Sequence, residues 1–290
     1  MSIFTASSEY PFSCSSNQDV FGFNFPSVDC RQGSYETDLN EEIDFFSMGA
    51  KLKTDLVRDS SFLEPSVFDF KKGIILPKNI TLELALETGY SLGDGFISNK
   101  KYEYRLKGNK KDEQEFYESA VKPLYKKLFN LNIKLKNYET TVGFEEYSKA
   151  IWEFKVRVLG IKPGRKTDVC VPQILKKQGK EVLAALMQGL LDTDGNIYFK
   201  SQGKRKSYYP IVSIVTISKE LANDIYEIFV KLGFKPYFWE SKKLTSRVPN
   251  KRFLVRISGY KNFQLYKEII GTRQPKNICK IKSWEEKNWN

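Results

Sequence analysis

The feature that most constrains the fold of this chain is an internal duplication. Residues 89–95 (Gly-Tyr-Ser-Leu-Gly-Asp-Gly) match residues 189–195 (Gly-Leu-Leu-Asp-Thr-Asp-Gly) at an offset of 100 residues. Residues 124–128 match residues 228–232 at an offset of 104. Matches in the same order with nearly constant offsets indicate one structural unit of roughly 100 residues that is used twice.

A third match near the end of each unit pairs residues 156–162 with residues 255–261, at an offset of 99. It aligns Arg157 with Arg256 and Lys162 with Lys261. These four basic residues are therefore candidates for equivalent roles in the two units.

Hydrophobic periodicity predicts that each unit runs helix, two strands, helix, two strands and a further helix, which is an α+β fold with antiparallel sheets. In the first unit, we expect helices at about 82–93 and 113–131 and strands near 95–107, 133–140 and 151–159. In the second unit, we expect helices at 180–193, 218–232 and 260–270 and strands near 196–201, 209–217, 235–240 and 252–258. The predicted domains are an N-terminal extension (1–75), a first repeat (76–175) and a second repeat (176–290).

The first helix of each unit carries small residues at four-residue spacing, which places them along one face. These residues are Ala85, Gly89 and Gly93 in repeat 1, and Ala185, Gly189 and Thr193 in repeat 2. Glycine inside a helix costs about 0.5–1 kcal/mol relative to alanine, so a compensating interaction is expected. Close packing of the two helices, with Ala85, Gly89, Ala185 and Gly189 at the interface, would provide it.

An Asp-Gly pair follows each small-residue face directly, at Asp94-Gly95 and at Asp194-Gly195. If the helices pair, Asp94 and Asp194 meet at the end of the interface, and we expect Gly95 and Gly195 to leave the helices in a left-handed or otherwise strained conformation. Two neighbouring carboxylates suit Mg2+, which prefers one or two carboxylates together with water and phosphate oxygens. A metal ion held there could activate water and stabilise the leaving oxygen of a phosphodiester.

Charge is distributed unevenly along the chain. Residues 1–50 contain one basic and eight acidic residues, a net charge of −7, whereas residues 51–290 contain 46 basic and 27 acidic residues, a net charge of +19. A basic body indicates a polyanionic partner, most simply nucleic acid. The alternative is an ordinary lysine-rich surface.

Composition excludes several classes of chemistry. The chain has no histidine, which removes Ser-His-Asp, Cys-His and histidine-base mechanisms. Its four cysteines form no CxxC pair, so a zinc site is not expected, and scattered thiols fit a reducing intracellular compartment, either cytoplasm, nucleoid or organelle. No apolar run approaches the roughly 18 residues of a membrane helix.

Residues 84–95 and 183–195 resemble the two copies of the LAGLIDADG motif, in a variant form similar to archaeal and intein-associated members. The first copy departs from the motif at Leu92, where the second has Asp192. The resemblance covers about residues 75–285 and implies αββαββα units side by side in a saddle, with antiparallel sheets in the major groove of double-stranded DNA. It also implies a monomeric homing endonuclease, associated with intron homing, that makes a staggered double-strand cut in a long target site.

The resemblance also implies the site residues. Asp94 and Asp194 would bind Mg2+ or Mn2+, with help from the carbonyl groups of Gly93 and Thr193. Family members often add a basic residue near the reacting water, for which Lys162 and Lys261 are the candidates, with Arg157 and Arg256 behind them.

The strands after each motif are the candidate DNA-reading elements, because side chains that alternate across a strand can contact base edges and phosphates together. The candidates in repeat 1 are Asn99, Lys100, Lys101, Tyr102, Arg105, Lys107 and Lys110. Those in repeat 2 are Asn196, Tyr198, Lys200, Gln202, Lys204, Arg205 and Lys206. Any one of these lysines could instead be a solvated surface charge.

The motif and the function each have alternative interpretations. A calcium loop starting at Asp192 would need a glutamate at its twelfth position, which is Gly203. A single Asp-Gly pair could be a plain turn, but its duplication behind matching helices argues against that. The alternative functions are a non-cleaving DNA-binding regulator and an intron RNA maturase of the same fold. Retention of both aspartates favours cutting, since two facing carboxylates beside a polyanion have no use in a pure DNA-binding protein.

Overall fold

The computed structural model of the protein describes residues 63–202, 205–241 and 250–288. Most of the predicted N-terminal extension, residues 1–62, therefore lies outside the described residues. The described chain begins with a short helix, α1 (Val67–Lys72), whose N-cap Ser66 forms a capping box with Asp69. No helix among the described residues is long and apolar enough to cross a membrane.

Repeat 1 starts with helix α2 (Leu82–Gly93), capped by the side chain of Thr81. Two strands, a long helical segment and two more strands follow. In chain order they are β1 (Gly95–Ile97), β2 (Glu103–Asn109), α3 (Lys110–Phe116), a π-helical turn (Tyr117–Val121), α4 (Lys122–Phe129), β3 (Lys136–Asn137) and β4 (Thr141–Tyr147). The repeat ends with α5 (Lys149–Glu153) and a second π-helical turn (Phe154–Val158).

A connecting segment with a 3-10 turn (Lys166–Asp168) and a short helix, α6 (Gln173–Lys176), leads into repeat 2. Repeat 2 then has the same element order. It consists of α7 (Lys180–Thr193), β5 (Gly195–Gln202), β6 (Arg205–Thr216), α8 (Lys219–Lys231), β7 (Tyr237–Glu240), β8 (Phe253–Ser258), α9 (Tyr260–Ile269) and α10 (Pro275–Asn288). Helix α10 was not predicted from the sequence, and neither was strand β4 (Thr141–Tyr147), which follows the strand expected near 133–140.

Each repeat forms one four-stranded antiparallel sheet. The strand order is β1-β2-β4-β3 in the first sheet and β5-β6-β8-β7 in the second. Counted from the first strand of each repeat, both sheets have the order first, second, fourth, third. The duplication and the predicted α+β class are therefore confirmed. Helices pack on one face of each sheet.

The segment 151–159 was predicted as a strand, and this prediction is wrong. Ser148 caps α5 by accepting a hydrogen bond from the Ile151 amide (3.0 Å), and Ser148 in turn donates to buried Asp69 (2.6 Å). These capping contacts and the burial of Phe154 in the repeat 1 core override the alternation of apolar and polar residues that suggested a strand.

This correction changes the internal alignment. The topological equivalent of β8 is β4, and the equivalent of α9 is the helical segment 149–158. The sequence match of 156–162 with 255–261 therefore aligns a helical segment with a strand. Lys162 and Lys261 do not occupy equivalent positions in the two repeats.

The predicted pairing of α2 with α7 is present, and the two helices touch along their backbones. A Cβ added at Gly89 would lie 2.3 Å from the carbonyl oxygen of Leu186, and one added at Gly189 would lie 2.1 Å from that of Leu86. Only glycine permits so close an approach. The neighbours Ala85 and Ala185 pack in or against the core that surrounds α7.

Candidate active site

Asp94 and Asp194 occupy equivalent positions directly after the paired helices. Each is the C-cap residue of its helix, and its amide donates to a carbonyl one turn earlier, that of Tyr90 for Asp94 and that of Leu190 for Asp194. A Cβ added at Gly93 would lie 2.0 Å from Oγ1 of Thr193 and 3.5 Å from the amide nitrogen of Asp194. The two helix ends therefore meet, and they bring the two aspartates together as predicted.

Gly95 and Gly195 do not have the predicted left-handed conformation, since neither has a positive φ. A steric reason requires glycine instead. A Cβ at Gly95 would lie 2.3 Å from the carbonyl oxygen of Ser91, and a Cβ at Gly195 would lie 2.3 Å from that of Leu191. The strand that follows each helix can therefore start against the last helical turn only when this residue has no side chain.

The environment of Asp94 disfavours its negative charge. Burial, the charge of Asp194 and the charge of Glu113 raise the pKa of Asp94 to about 8, against the opposing charge of Lys166 and a hydrogen bond from Tyr117 (3.3 Å). Burial and the charge of Glu113 also raise the pKa of Asp194, and Lys166 again opposes the rise. Asp194 is exposed by its solvent-accessible surface, but the surrounding protein groups are close enough to its carboxylate for burial to be the largest cause of the raised pKa.

A third carboxylate, Glu113, lies beside Asp94. Glu113 Oε2 lies 2.0 Å, and Asp94 Oδ2 3.0 Å, from the position that a Cβ on Gly108 would take. Glu113 accepts hydrogen bonds from the Asn109 amide (2.8 Å) and from Lys276 Nζ (3.1 Å). Lys276 lies on α10 of repeat 2, so this ion pair joins the C-terminal helix to the Asp94 side of the site.

The lysine whose charge acts on both aspartates is Lys166, at the start of the 3-10 turn. It lines a cleft of about 300 Å3 together with Asp194 and Arg252. The predicted Lys162 and Lys261 are both exposed, and neither contacts an aspartate in the described structure. We therefore assign the basic position beside the aspartates to Lys166.

The sequence contained a signal for these lysines that the alignment missed. Lys166 follows the helical segment ending at Val158 by eight residues, and Lys276 follows α9, which ends at Ile269, by seven. Each lysine lies in the segment after the last helix of its repeat, and each segment packs on the other repeat, the 3-10 turn on α8 and α10 on α3.

The donor set fits a hard divalent cation. Two carboxylates whose pKa values are raised chiefly by burial stand at the C-terminal ends of two helices, where the helix dipoles add further negative potential. Among the described residues, no group of three or more His, Cys, Asp or Glu side chains could hold a metal ion. A two-carboxylate set is nevertheless typical of Mg2+, which keeps water and substrate oxygens as its other ligands.

The exposed face of the first sheet carries charges that pair with one another. On β2, Glu103, Arg105 and Lys107 alternate with buried residues. Arg105 lies over the ring of Phe96 (4.2 Å), and Lys107 pairs with Glu145 (2.5 Å) and lies over Tyr138 (3.8 Å). Both predicted DNA contacts therefore point outward, but acidic neighbours partly compensate their charge.

The exposed face of the second sheet includes Asn196, Tyr198 and Lys200 on β5, as predicted. It also includes Arg256 on β8, which was predicted only as a basic residue behind the candidate catalytic lysines. Arg256 is paired across strands with Ser213 and with Tyr237, and its guanidinium group lies 4.6 Å from the centre of the Tyr237 ring.

The other predicted DNA contacts fall into two groups. In the first, Asn99, Lys100 and Lys101 are exposed in the bend between β1 and β2, Tyr102 is half-exposed against Trp152, and Lys110 begins α3. In the second, Lys204 lies outside the described residues, and the structure describes only the backbone of Gln202, Arg205 and Lys206, at the paired ends of β5 and β6.

Comparison with protein families agrees with the topology. A family model described as a LAGLIDADG-like domain matches residues 181–271, which span most of repeat 2. A comparison with curated protein sequences found no match.

Comparison with solved structures gives similar but distant chains. One is the homing endonuclease I-DmoI in complex with DNA and Mn, with 15% identity and a TM-score of 0.47 over 67% of this chain and 98% of that one. Another is I-WcaI bound to its DNA recognition sequence, with 12% identity and a TM-score of 0.45 over 70% and 86%. A third is the N-terminal LAGLIDADG domain of WhiA, with 12% identity and a TM-score of 0.41 over 69% and 88%.

The duplicated αββαββ order, the paired glycine-rich helices and the two aspartates at their ends define a two-repeat α+β protein. The matched LAGLIDADG-like domain covers residues 181–271 and includes the second of the two predicted motifs.

Proposed function

We propose that this protein is a sequence-specific homing endonuclease that hydrolyses both strands of double-stranded DNA with Mg2+ or Mn2+. The observation that carries the proposal is the convergence of Asp94 and Asp194 at the ends of two helices in backbone contact. Their mutual repulsion destabilises the metal-free protein, and a protein that used the fold for binding alone would gain by losing it. Binding of a divalent cation would explain why both carboxylates are present.

Asp94 and Asp194 would hold the metal, with the carbonyl groups of Gly93 and Thr193 as candidate additional ligands. A divalent cation bound there supplies a Lewis acid for the phosphodiester and lowers the pKa of water. Each repeat contributes one aspartate in a pseudo-symmetric position, so each aspartate would serve the cleavage of one DNA strand.

Lys166 would act directly beside the aspartates. Its charge lowers the pKa of both, which favours the ionised carboxylates that a metal requires. The cleft that Lys166 shares with Asp194 and Arg252 places two cations beside one carboxylate, an arrangement suited to a phosphate group. Lys166 and Arg252 are thus the candidate phosphate-binding residues on the Asp194 side.

The exposed faces of the two sheets are the candidate DNA-contacting surfaces. Paired antiparallel strands suit the major groove, which admits two-stranded ribbons. Arg105 and Lys107 in repeat 1, and Asn196, Lys200 and Arg256 in repeat 2, are the described side chains best placed for contact. A non-cleaving DNA-binding regulator is the second candidate, because the same sheet faces would serve it equally well.

The test is incubation of the full chain with a randomised-site DNA library, in Mg2+ and separately in EDTA, followed by sequencing of cut ends and of bound DNA. The proposal expects Mg2+-dependent double-strand cuts at one long site. Enrichment of one bound site with no cuts would support the regulator instead. If the library yields neither cut ends nor an enriched site, DNA recognition is contradicted. Intron RNA would then be tested as the ligand.

A further inference from the structure

The second sheet carries a row of four cross-strand paired residues, of which Asn196 and Tyr237 are exposed, Arg256 is half-buried and Ser213 is buried. Asn196 on β5 pairs with Ser213 on β6, Ser213 pairs with Arg256 on β8, and Arg256 pairs with Tyr237 on β7. Side chains of directly opposed residues point to the same face, so this row crosses all four strands. A hydroxyl, an amide, a guanidinium and an aromatic ring are thus brought side by side.

Arg256 is the group in this row with the most defined geometry. Its guanidinium lies 4.6 Å from the centre of the Tyr237 ring, which limits its rotation and so fixes its hydrogen-bonding edge. Its Nε is shielded from solvent and has no hydrogen-bond partner among the described residues. A contact with a ligand would therefore use the terminal amino groups of the guanidinium rather than Nε.

The corresponding row in the first sheet differs in charge. There Phe96 pairs with Arg105, and Arg105 pairs with Glu145 across β2 and β4. Glu103 also lies 3.8 Å from Arg105. Arg105 therefore has acidic neighbours in its own chain, whereas the cross-strand neighbours of Arg256 are Ser213 and Tyr237.

We propose that Arg256 determines sequence specificity in repeat 2 by recognising a guanine in the target DNA. Arginine donates two hydrogen bonds to the O6 and N7 atoms of guanine in the major groove, and this contact requires a positioned guanidinium plane. Asn196, which is exposed in the same row, could contact a neighbouring base pair. The inference rests on the proposed DNA-binding function and adds a particular residue and base to it.

The position of the row in the sheet gives the position of this guanine. Asn196 is two residues beyond Asp194, and Arg256 lies two strands away from Asn196, so the row stands roughly 12 Å from the aspartate at ordinary strand spacings. At about 3.4 Å per base pair, and allowing for the length of the side chain, the guanine should lie within about six base pairs of the cut.

The experiment is a binding selection from the randomised library with Asp94→Asn protein as the parent, so that bound DNA stays intact. Arg256→Lys and Arg256→Ala are compared with that parent. Arg256→Lys keeps the charge but removes the two-pronged donor. The expected result is loss of a guanine preference at one position near the cut, by roughly 5- to 150-fold, with the other positions unchanged.

Lys231→Ala is the matched charge control. Lys231 lies on α8, whose apolar residues pack against the buried face of the same sheet. The Lys231→Ala substitution therefore removes one positive charge from the side away from the proposed contact. It should leave the base preferences unchanged.

Two outcomes would overturn the inference while leaving the proposed function intact. One is an unchanged guanine preference in both Arg256 variants. The other is uniform weakening at every position in Arg256→Ala with full recovery in Arg256→Lys, which would make Arg256 a phosphate contact. Failure of the Asp94→Asn parent to select any site would instead contradict the proposed function itself.

Discussion

Gly89→Ala tests the contact that brings the two aspartates together. The added Cβ would lie 2.3 Å from the carbonyl oxygen of Leu186 and 2.7 Å from the amide nitrogen of Leu190. Both atoms belong to the backbone of the facing helix, so neither can rotate away. The helices would have to separate, which would also move the aspartates at their ends.

Two opposing effects determine the size of the change. Replacing glycine by alanine inside a helix gains about 0.5–1 kcal/mol of stability. Overpacking of a tight interface costs about 1–3 kcal/mol, and the upper part of that range applies because the obstruction is backbone. We expect a net destabilisation of about 2 kcal/mol, or a fall of roughly 4–8 °C in Tm for a chain of this size.

Thermal unfolding of the metal-free protein, followed by circular dichroism, measures this change. Gly179→Ala is the control, since Gly179 has a negative φ and a Cβ there would meet nothing within 4 Å. Its Tm should stay close to that of the parent. If Gly89→Ala unfolds at the parent Tm, within the error defined by Gly179→Ala, the backbone contact between the helices is refuted.

Three further predictions concern side chains around the site. The pKa of Asp94, about 8, lies above its ordinary value, so the contribution of Asp94 to the free energy of unfolding is fully present below about pH 4 and is lost as the pH rises towards 8. Metal-free Asp94→Asn should therefore be more stable than the parent at pH 8. Urea titrations should show a smaller difference between the two proteins at pH 4. Lys166→Ala should reduce the cutting rate at least 100-fold at saturating DNA, with binding affinity changed less than tenfold in a titration. Asp192→Ala removes the acceptor for Thr272 Oγ1 and the Arg273 amide, so hydrogen exchange should accelerate in residues 272–288; unchanged exchange would contradict that anchoring role.

The parts of the fold that follow from local periodicity and capping were predictable. The predicted boundaries of α2 and α7 agree with the structure, because each helix has a uniform pattern of apolar and small residues. The strand predicted at 151–159 failed because the helix there depends on Ser148 and on Asp69, which is distant in the chain. Such tertiary capping leaves no periodic pattern in the sequence.

The site was predictable only in its duplicated part. Asp94 and Asp194 follow from the repeat, because equivalent residues after paired helices must approach each other. Lys166 and Lys276 were missed because the alignment matched a helix to a strand, and each lysine reaches the site through packing against the opposite repeat. Glu113 has no counterpart in any motif.

The departure of the first motif at its sixth position also has a physical account in the structure. Leu92 packs in the apolar core that surrounds α7, whereas Asp192 at the equivalent position is buried and bound to Thr272 and Arg273. Repeat 2 needs an acceptor there because its chain continues into α10. Leucine suffices in repeat 1, where the next segment leads across to the other repeat.

The measurement that tests the central claim most directly is cleavage of the selected DNA site by Asp94→Asn and by Asp194→Asn, with binding measured in parallel. The account predicts that each variant loses Mg2+-dependent double-strand cutting and still binds the site with affinity close to that of the parent. Normal cutting by both variants would contradict the assignment of the paired aspartates as the metal-binding catalytic centre.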